Sequence, residues 1–374
     1  MSAGTTPSRR RLRIVVWGPG QVGRAVLRTA LDDDRFEVVG VKARSDKRAG
    51  SDIATLVKRD PVGAFVTTSV DDVVALEPDC VVLTPAARAL YKGLDHDVIR
   101  LLEAGINVVA SAAYHNVTMP NFLSAQRVPP ERLLEACLSG GATLFGTGVH
   151  PSFMVERLVM TMAQLLNEVT HVRLVEAADF SGMPGGMWGG FDAFGFGKDP
   201  DAIHADMPIA MGGDLYYGDV LGNVAHALYG AHNDEVRVER SFRGLPAAED
   251  VEVGGMTIAA GTVGAVHLVH RGYLGDRCFM TNEECWYLAP AVTFRGDDLP
   301  FGGFGQPASY TIELTGTPAN LRSQIEFEHV GGIDPITNGS VRAILDAIAP
   351  VVAAEPGILI DDPAPHYRPD DRIG

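Results

Sequence analysis

The chain has 374 residues, 46% of them hydrophobic and 21% charged, with a formal net charge of -16. That composition suits a globular protein with two full cores, and the negative charge excludes a nucleic-acid binder, which needs clustered Lys and Arg against phosphates. The one basic cluster (Arg9, Arg10, Arg11, Arg13) closes a small polar tail, residues 1–11, expected to be solvated and disordered.

No apolar run is read as a membrane span or a signal peptide, so a cytoplasmic protein is expected. The four cysteines, Cys80, Cys137, Cys278 and Cys285, lack C-x-x-C spacing, which points to a reducing compartment and no zinc site.

Arg13–Leu31 (RIVVWGPGQVGRAVLRTAL) reads as a strand, a glycine turn and a helix in succession. Ile14–Trp17 is a continuous apolar run, as expected for a strand covered on both faces. Gly18, Gly20 and Gly23 fit G-x-G-x-x-G. In that motif the first glycine turns the strand, the second lets a pyrophosphate approach the backbone, and the third lets the helix pack closely. Gln21 and Val22 open the helix whose free N–H groups and positive dipole end would face the phosphates.

Further βα units follow. Strands are expected at Phe36–Ala43, Ala64–Thr67, Asp79–Leu83, Asn107–Ala110 and Thr143–Phe145, and helices at Asp95–Ala104 and Glu131–Ser139. This alternation predicts an α/β, Rossmann doubly wound parallel sheet over residues 12–149.

After His150 the pattern changes. Pro151 is placed to open a helix whose buried face is read as Phe153, Leu158, Met162 and Leu165. A strand is expected at Val169–Ala178 and a helix near Asp214–Leu228. Extended stretches at Glu235–Phe242, Thr262–His270, Cys278–Leu288, Ser309–Leu314 and Ser323–Phe327 then predict a second α+β domain, residues 150–334, with a mixed or antiparallel sheet for substrate binding and dimerisation. The final helix, Val341–Ala349, is expected to pack back on the first domain, which residues 335–374 would complete.

The end of the second strand bears on the cofactor. A nicotinamide dinucleotide with a free 2′-hydroxyl usually meets an acidic residue there. Here the chain carries Lys42, Arg44 and Ser45, with Asp46 slightly too late. Cations and a hydroxyl suit a 2′-phosphate, which favours NADP(H), with NAD(H) possible. Ligands of such sheets lie beyond the carboxyl ends of the strands. Three segments qualify: Thr84-Pro85-Ala86, expected against the nicotinamide; Ser111–Asn116; and Gly146–Ser152.

Hydride transfer to C=N or C=O needs a proton donor or charge stabiliser at the heteroatom. Tyr114, His115 and His150 are the catalytic candidates, and Thr147 would orient the substrate. Asp179 is a candidate cation partner, with Trp188 and Phe194 in an apolar wall. His267 and His270 lie three apart on a strand, so they point to opposite faces and read as structural.

The segments GPGQVGRAVL (18–27), PDCVVLTP (78–85), LLEAGINVVAS (101–111), LFGTGVHPSFMVERL (144–158), FGFGKDP (194–200) and the ending VRAILDAIAPVVAAEPGI together resemble the amine dehydrogenase and 2,4-diaminopentanoate dehydrogenase family, which has a dihydrodipicolinate-reductase-type N-terminal domain. The resemblance implies a two-domain, dimeric NAD(P)-dependent enzyme that interconverts amines with carbonyls and ammonia. It also implies a glutamate just after the fifth strand, where Ser111–Asn116 (SAAYHN) has no carboxylate, and Asn and Gly where His150 and Ser152 stand. The function expected is therefore hydride transfer to or from a small C=N or C=O substrate. A ketone or aldehyde reductase without ammonia chemistry, or a non-catalytic NADPH-binding protein, are the alternatives.

Overall fold

A computed structural model describes residues 10–85, 93–182, 191–253, 256–288, 308–330 and 335–361. The first half comprises β1 (Leu12–Trp17), α1 (Gln21–Leu31), β2 (Phe36–Lys42), β3 (Phe65–Thr67), α2 (Val70–Ala75), β4 (Cys80–Leu83), α3 (Leu94–Glu103), β5 (Asn107–Ala110), α4 (Pro130–Gly140) and β6 (Thr143–Gly146). Local chemistry sets several of these ends. Pro130 opens α4 with its ring-fixed φ, and Gly141 closes it at φ +69°.

The second half holds a wide-turned segment, Val149–Arg157, then α5 (Leu158–Ala163), β7 (Glu168–Asp179), α6 (Phe191–Phe194), α7 (Pro208–Gly213), α8 (Asp219–Tyr229), β8 (Val236–Pro246), β9 (Val251–Val253), β10 (Met256–Ile258), β11 (Val263–Leu274), β12 (Arg277–Tyr287), β13 (Ala308–Thr317) and β14 (Leu321–Phe327). The chain returns as α9 (Pro335–Ala353) and β15 (Gly357–Leu359).

The first sheet has seven parallel strands in the order β15-β6-β5-β4-β1-β2-β3. The order reverses between β1 and β4, which is where doubly wound sheets open a crevice for ligands. One face is covered by α1 and α9, the other by α3 and α4. Burial on both faces explains the unbroken apolar runs of β1, β4 and β5.

The second sheet has six strands in the order β14-β13-β7-β12-β11-β8, antiparallel except for β7 with β12. Its inner face packs on Val149–Arg157, α5, α7 and α8 around a core that includes Val172, Leu174, Val224, Leu268 and Trp286.

Two expectations are corrected. The face predicted for the segment after Pro151 is rotated: Phe153 and Leu165 are exposed, and Met154, Val155, Val159 and Met160 are buried. The backbone is non-helical at His150–Ser152 and then winds in wide turns, so side chains drift out of the 3.6-residue phase assumed from sequence. The C-terminal helix is also longer than expected, and its 19 residues are apolar enough to cross a membrane by length and composition. Its apolarity has a local cause: Val341, Ile344, Leu345, Ile348 and Val351 are buried in the core shared with α1 and the first sheet. The short edge strand β15, unread in the sequence, pairs with β6.

Ile344 is fully buried in that core. Ile344→Ala is expected to lower unfolding stability by about 2–5 kcal/mol, measured by urea denaturation.

Candidate active site

The glycine turn leaves β1 at the switch point. Gly18 has φ +99°, and a Cβ there would lie 2.4 Å from the Thr84 carbonyl oxygen. A Cβ on Gly23 would lie 2.1 Å from the Gly18 oxygen. Both glycines are therefore dictated by packing. Above Gly20 nothing lies within 4 Å of a Cβ position, so the backbone is open to a phosphate at the start of α1, and the residues fit a dinucleotide.

Thr84 clamps the turn: its Oγ1 lies 3.0 Å from the Trp17 carbonyl and 2.8 Å from that of Gly18. Gln21 donates from Nε2 to Thr337 Oγ1 at 3.4 Å, tying α1 to α9, and Val22 packs on the core beneath. Pro85 ends the described part of this strand exit, and Ala86 lies outside the described residues. The Ser111 N–H donates to the Leu83 carbonyl, extending β5 by one residue.

At the end of β2, Lys42 is buried with Nζ 3.9 Å from the Trp17 ring centroid, a cation–π contact facing away from solvent. Arg44 is exposed and makes no ion pair among the described residues. Ser45 is exposed, and its Oγ accepts the Lys47 N–H, so it caps the next turn.

The ends of β5 and β6 are pressed together: a Cβ on Gly146 would lie 2.5 Å from the Tyr114 carbonyl. Tyr114 points into the first-domain core, where its hydroxyl donates to Asp95 at 2.7 Å. Asp95 is paired with Arg127, which holds its carboxyl below the usual range despite burial. The phenolic proton is thus engaged by Asp95, which argues against the proton-transfer role expected for Tyr114.

His115 is 4% exposed, and its ring makes no side-chain hydrogen bond among the described residues. Burial lowers its pKa to about 4, opposed by the Thr147 carbonyl. His150 stacks on Tyr217 with centroids 5.1 Å apart. Burial and the neighbouring His115 and His270 lower its pKa to about 3. Its Nε2 faces Glu284 Oε1 at 3.4 Å, and its Nδ1 has no partner among the described residues. Thr147 is fully buried, with Oγ1 3.2 Å from Ser152 Oγ.

Two buried carboxyl groups come from the second sheet. Glu176 on β7 and Glu284 on β12 are register partners on the inner face. Glu176 accepts from Trp286 Nε1 at 2.9 Å and from the Tyr310 hydroxyl at 2.7 Å. Glu284 is 0% exposed and accepts from Asn282 Nδ2; its Oε2 has no hydrogen-bond partner among the described residues. Burial, with Glu176 and Glu283 nearby, pushes its pKa well up.

His267 and His270 do face opposite sides. His267 meets Arg243 and Glu283, whereas His270 joins the inner cluster through Nε2, 3.0 Å from Asp214 Oδ1. The signal for Glu284 was strand parity: Met280, Asn282, Glu284 and Trp286 share one face of β12, so an acid sits in an apolar row.

Asp179 ends β7 and accepts the Ser181 N–H at 2.9 Å, so one oxygen closes a local turn. Phe194 is buried edge-on to Phe180 and Trp286, at 5.1 and 5.2 Å, which makes it part of the second core. Trp188 lies outside the described residues. A cavity of about 270 Å³ is lined by Asn116, Glu156, Asn223, His226, Asn233 and Asp361. Ser152, at φ +93°, bonds two of these residues, its N–H donating to Glu156 at 2.7 Å and its Oγ to Asp361.

Fold and site define the class: a nicotinamide-dependent oxidoreductase built on a Rossmann sheet. Residues 12–109 match the family described as dihydrodipicolinate reductase, N-terminus. Over 358 residues, 92% of this chain and 93% of the relative, the chain is 24% identical to an amine dehydrogenase of Streptomyces virginiae. Its fold is similar to that of the amine dehydrogenase of Mycobacterium smegmatis, with a TM-score of 0.69, 20% identity, and 97% and 98% of the two chains covered. It is also similar to GenD2 from gentamicin A biosynthesis in complex with NAD, with a TM-score of 0.51, 16% identity, and 94% and 89% covered. The chain thus resembles the amine dehydrogenases along nearly its whole length.

Tyr114→Phe is expected to leave Asp95 short of a donor and to cost about 1–3 kcal/mol in urea unfolding while turnover stays within about twofold. Glu156 supplies a pH test. Burial and Asp361 raise its pKa from 4.5 to about 7, so the folded state holds an extra proton between those values. Stability should therefore fall as pH rises from 4.5 through 7, by on the order of 3 kcal/mol at most. Glu156→Gln should flatten that slope in unfolding midpoints compared at pH 5 and 8.

Proposed function

We propose that the protein transfers a hydride between NADP(H) and a small, mostly apolar substrate at a C–N or C–O bond, with NAD(H) as the weaker cofactor. The observation that carries this reading is the pair of buried imidazoles at the ends of β5 and β6: His115, which faces the Thr147 carbonyl and makes no side-chain hydrogen bond among the described residues, and His150, whose Nδ1 has no partner among them. Buried polar atoms are nearly always satisfied, so such a pair marks where a polar group docks. The nicotinamide supplies the hydride chemistry when bound. Gly18, Gly20, Gln21, Val22 and Gly23 hold the pyrophosphate at the start of α1, and Arg44 with Ser45 meets the 2′-phosphate. Pro85 and Ser111 flank the nicotinamide end, and His115 positions the substrate heteroatom, with Thr147 alongside.

Amine chemistry is favoured over simple carbonyl reduction. The similarity to amine dehydrogenases supports it, and so does the inner face of the second sheet, which presents the acceptor Asn282 Oδ1 without a partner among the described residues. An N–H-bearing head group satisfies acceptors, whereas a ketone brings only another acceptor. Asp179, Trp188 and Phe194 remain candidates for the substrate end; of these, Phe194 backs the site from the core.

The test is NADPH and NADH oxidation with cyclohexanone, 4-phenyl-2-butanone and isobutyraldehyde, each with and without ammonium. Ammonium-dependent turnover is expected, and ammonium-independent rates across the panel would select the carbonyl reductase instead. His115→Ala should lower kcat by about 100-fold or more and change NADPH affinity little. Arg44→Ala should weaken NADPH by about tenfold and leave NADH nearly unchanged, read by fluorescence titration.

A further inference from the structure

The proposed reaction creates a problem of proton transport. Oxidation of a primary ammonium group to the iminium ion, or of a hydroxyl to the carbonyl, breaks the C–H bond beside the heteroatom and sends its hydride to the nicotinamide. As the C=N or C=O bond forms, one further proton leaves the heteroatom, and it must cross a protein interior.

A line of four groups leads outward from the site. His150 Nε2 lies 3.4 Å from Glu284 Oε1. Glu284 Oε2 lies 4.0 Å from His270 Nδ1. His270 Nε2 lies 3.0 Å from Asp214 Oδ1. Asp214 is paired with Arg240, and both side chains are nearly one-fifth exposed, whereas His150, Glu284 and His270 are at most 1% exposed. Four separate elements bring these groups into line: the exit of β6, β12, β11 and the turn that leads into α8.

We propose that His150, Glu284, His270 and Asp214 form a proton path that carries the proton released at the substrate heteroatom to the surface beside Arg240, with Glu284 as the central carrier. Its use in catalysis rests on the hydride-transfer reading above.

The hydrogen-bond polarity runs one way. Asp214 is held ionised by His270 and Arg240 against its burial, so His270 Nε2 donates to it and His270 Nδ1 keeps a lone pair. A protonated Glu284 then directs its Oε2 hydrogen at that lone pair, and His150 Nε2 donates to Oε1. His150 Nδ1, unpaired among the described residues, is left to receive the proton from the substrate side. Each imidazole gains a proton on one nitrogen and gives one from the other, and the carboxyl gains on Oε1 and gives from Oε2. One proton enters and one leaves at Asp214; in the reductive direction the order reverses. The 4.0 Å step closes to hydrogen-bond length with about 1 Å of carboxyl movement.

The groups around Glu284 fit a proton carrier better than a fixed ion pair. Glu176 on β7 and Glu283 beside it are acids, Asn282 and Tyr217 are neutral, and the two histidines flank it.

The test uses the full chain with histidine labelled with nitrogen-15. Glu284→Gln keeps size and hydrogen bonding but removes proton carriage. Solvent exchange of the His150 ring N–H, followed by NMR in heavy water, should slow at least tenfold in this variant while that of His270 stays within twofold. With the best substrate from the panel above, kcat should fall at least thirtyfold with KM within threefold, and Glu284→Asp should restore part of the rate. If Glu284→Gln does not fold by near-UV circular dichroism, His270→Gln carries the same two measurements. Unchanged His150 exchange, or unchanged kcat with slowed exchange, overturns the proposal. A wild type that turns over nothing on the panel defeats the functional reading separately, and the exchange measurement still decides the path.

Discussion

Glu176 and Glu284 stand side by side on neighbouring parallel strands, both buried, with no lysine or arginine against them among the described residues. Burying an ionised carboxylate without a partner is prohibitively costly, so such groups stay protonated or share protons through hydrogen bonds. The surroundings follow from that constraint. Trp286, Tyr310 and Asn282 direct donors at the two acids, and His150 and His270 flank Glu284 with neutral rings. The inner face of the second sheet is therefore a polar strip inside an apolar core, set opposite the strand ends that would carry the nicotinamide.

The first sheet presents the glycine turn, and the second presents the buried acids with their histidines. Close backbone packing joins them. The Gly18–Gly23 turn rests on Thr84, and Gly146 lets β6 approach the Tyr114 backbone, which brings His115 and Thr147 together. The α9 helix then closes the first core from behind, through Gln21 and Thr337 as well as its buried apolar face.

The departures from the amine dehydrogenase pattern become coherent in this geometry. The segment after β5 lacks its glutamate, and Tyr114 in that segment is turned into the core by Asp95 and Arg127. His150 takes a place where the family pattern implies Asn, and it is this histidine that meets Glu284.

Much was legible in the chain itself. The alternation of strands and helices, the glycine turn, the parallel and mixed sheets and the return of the last helix follow from periodicity, because each element must bury a face of its own. The His267–His270 split followed from strand parity for the same reason. Three things were decided only by tertiary structure. The helical face after Pro151 was misphased because non-helical backbone at His150–Ser152 breaks the period. Tyr114 looked available because its partner Asp95 lies 19 residues away on another element. The Glu284 cluster was invisible because its members are spread from His150 to Glu284 along the chain, and only the packing of one sheet face on the other domain brings them within reach. Local order is written in neighbouring residues. Proton chemistry depends on which distant side chains are buried together, and that is a property of the assembled core.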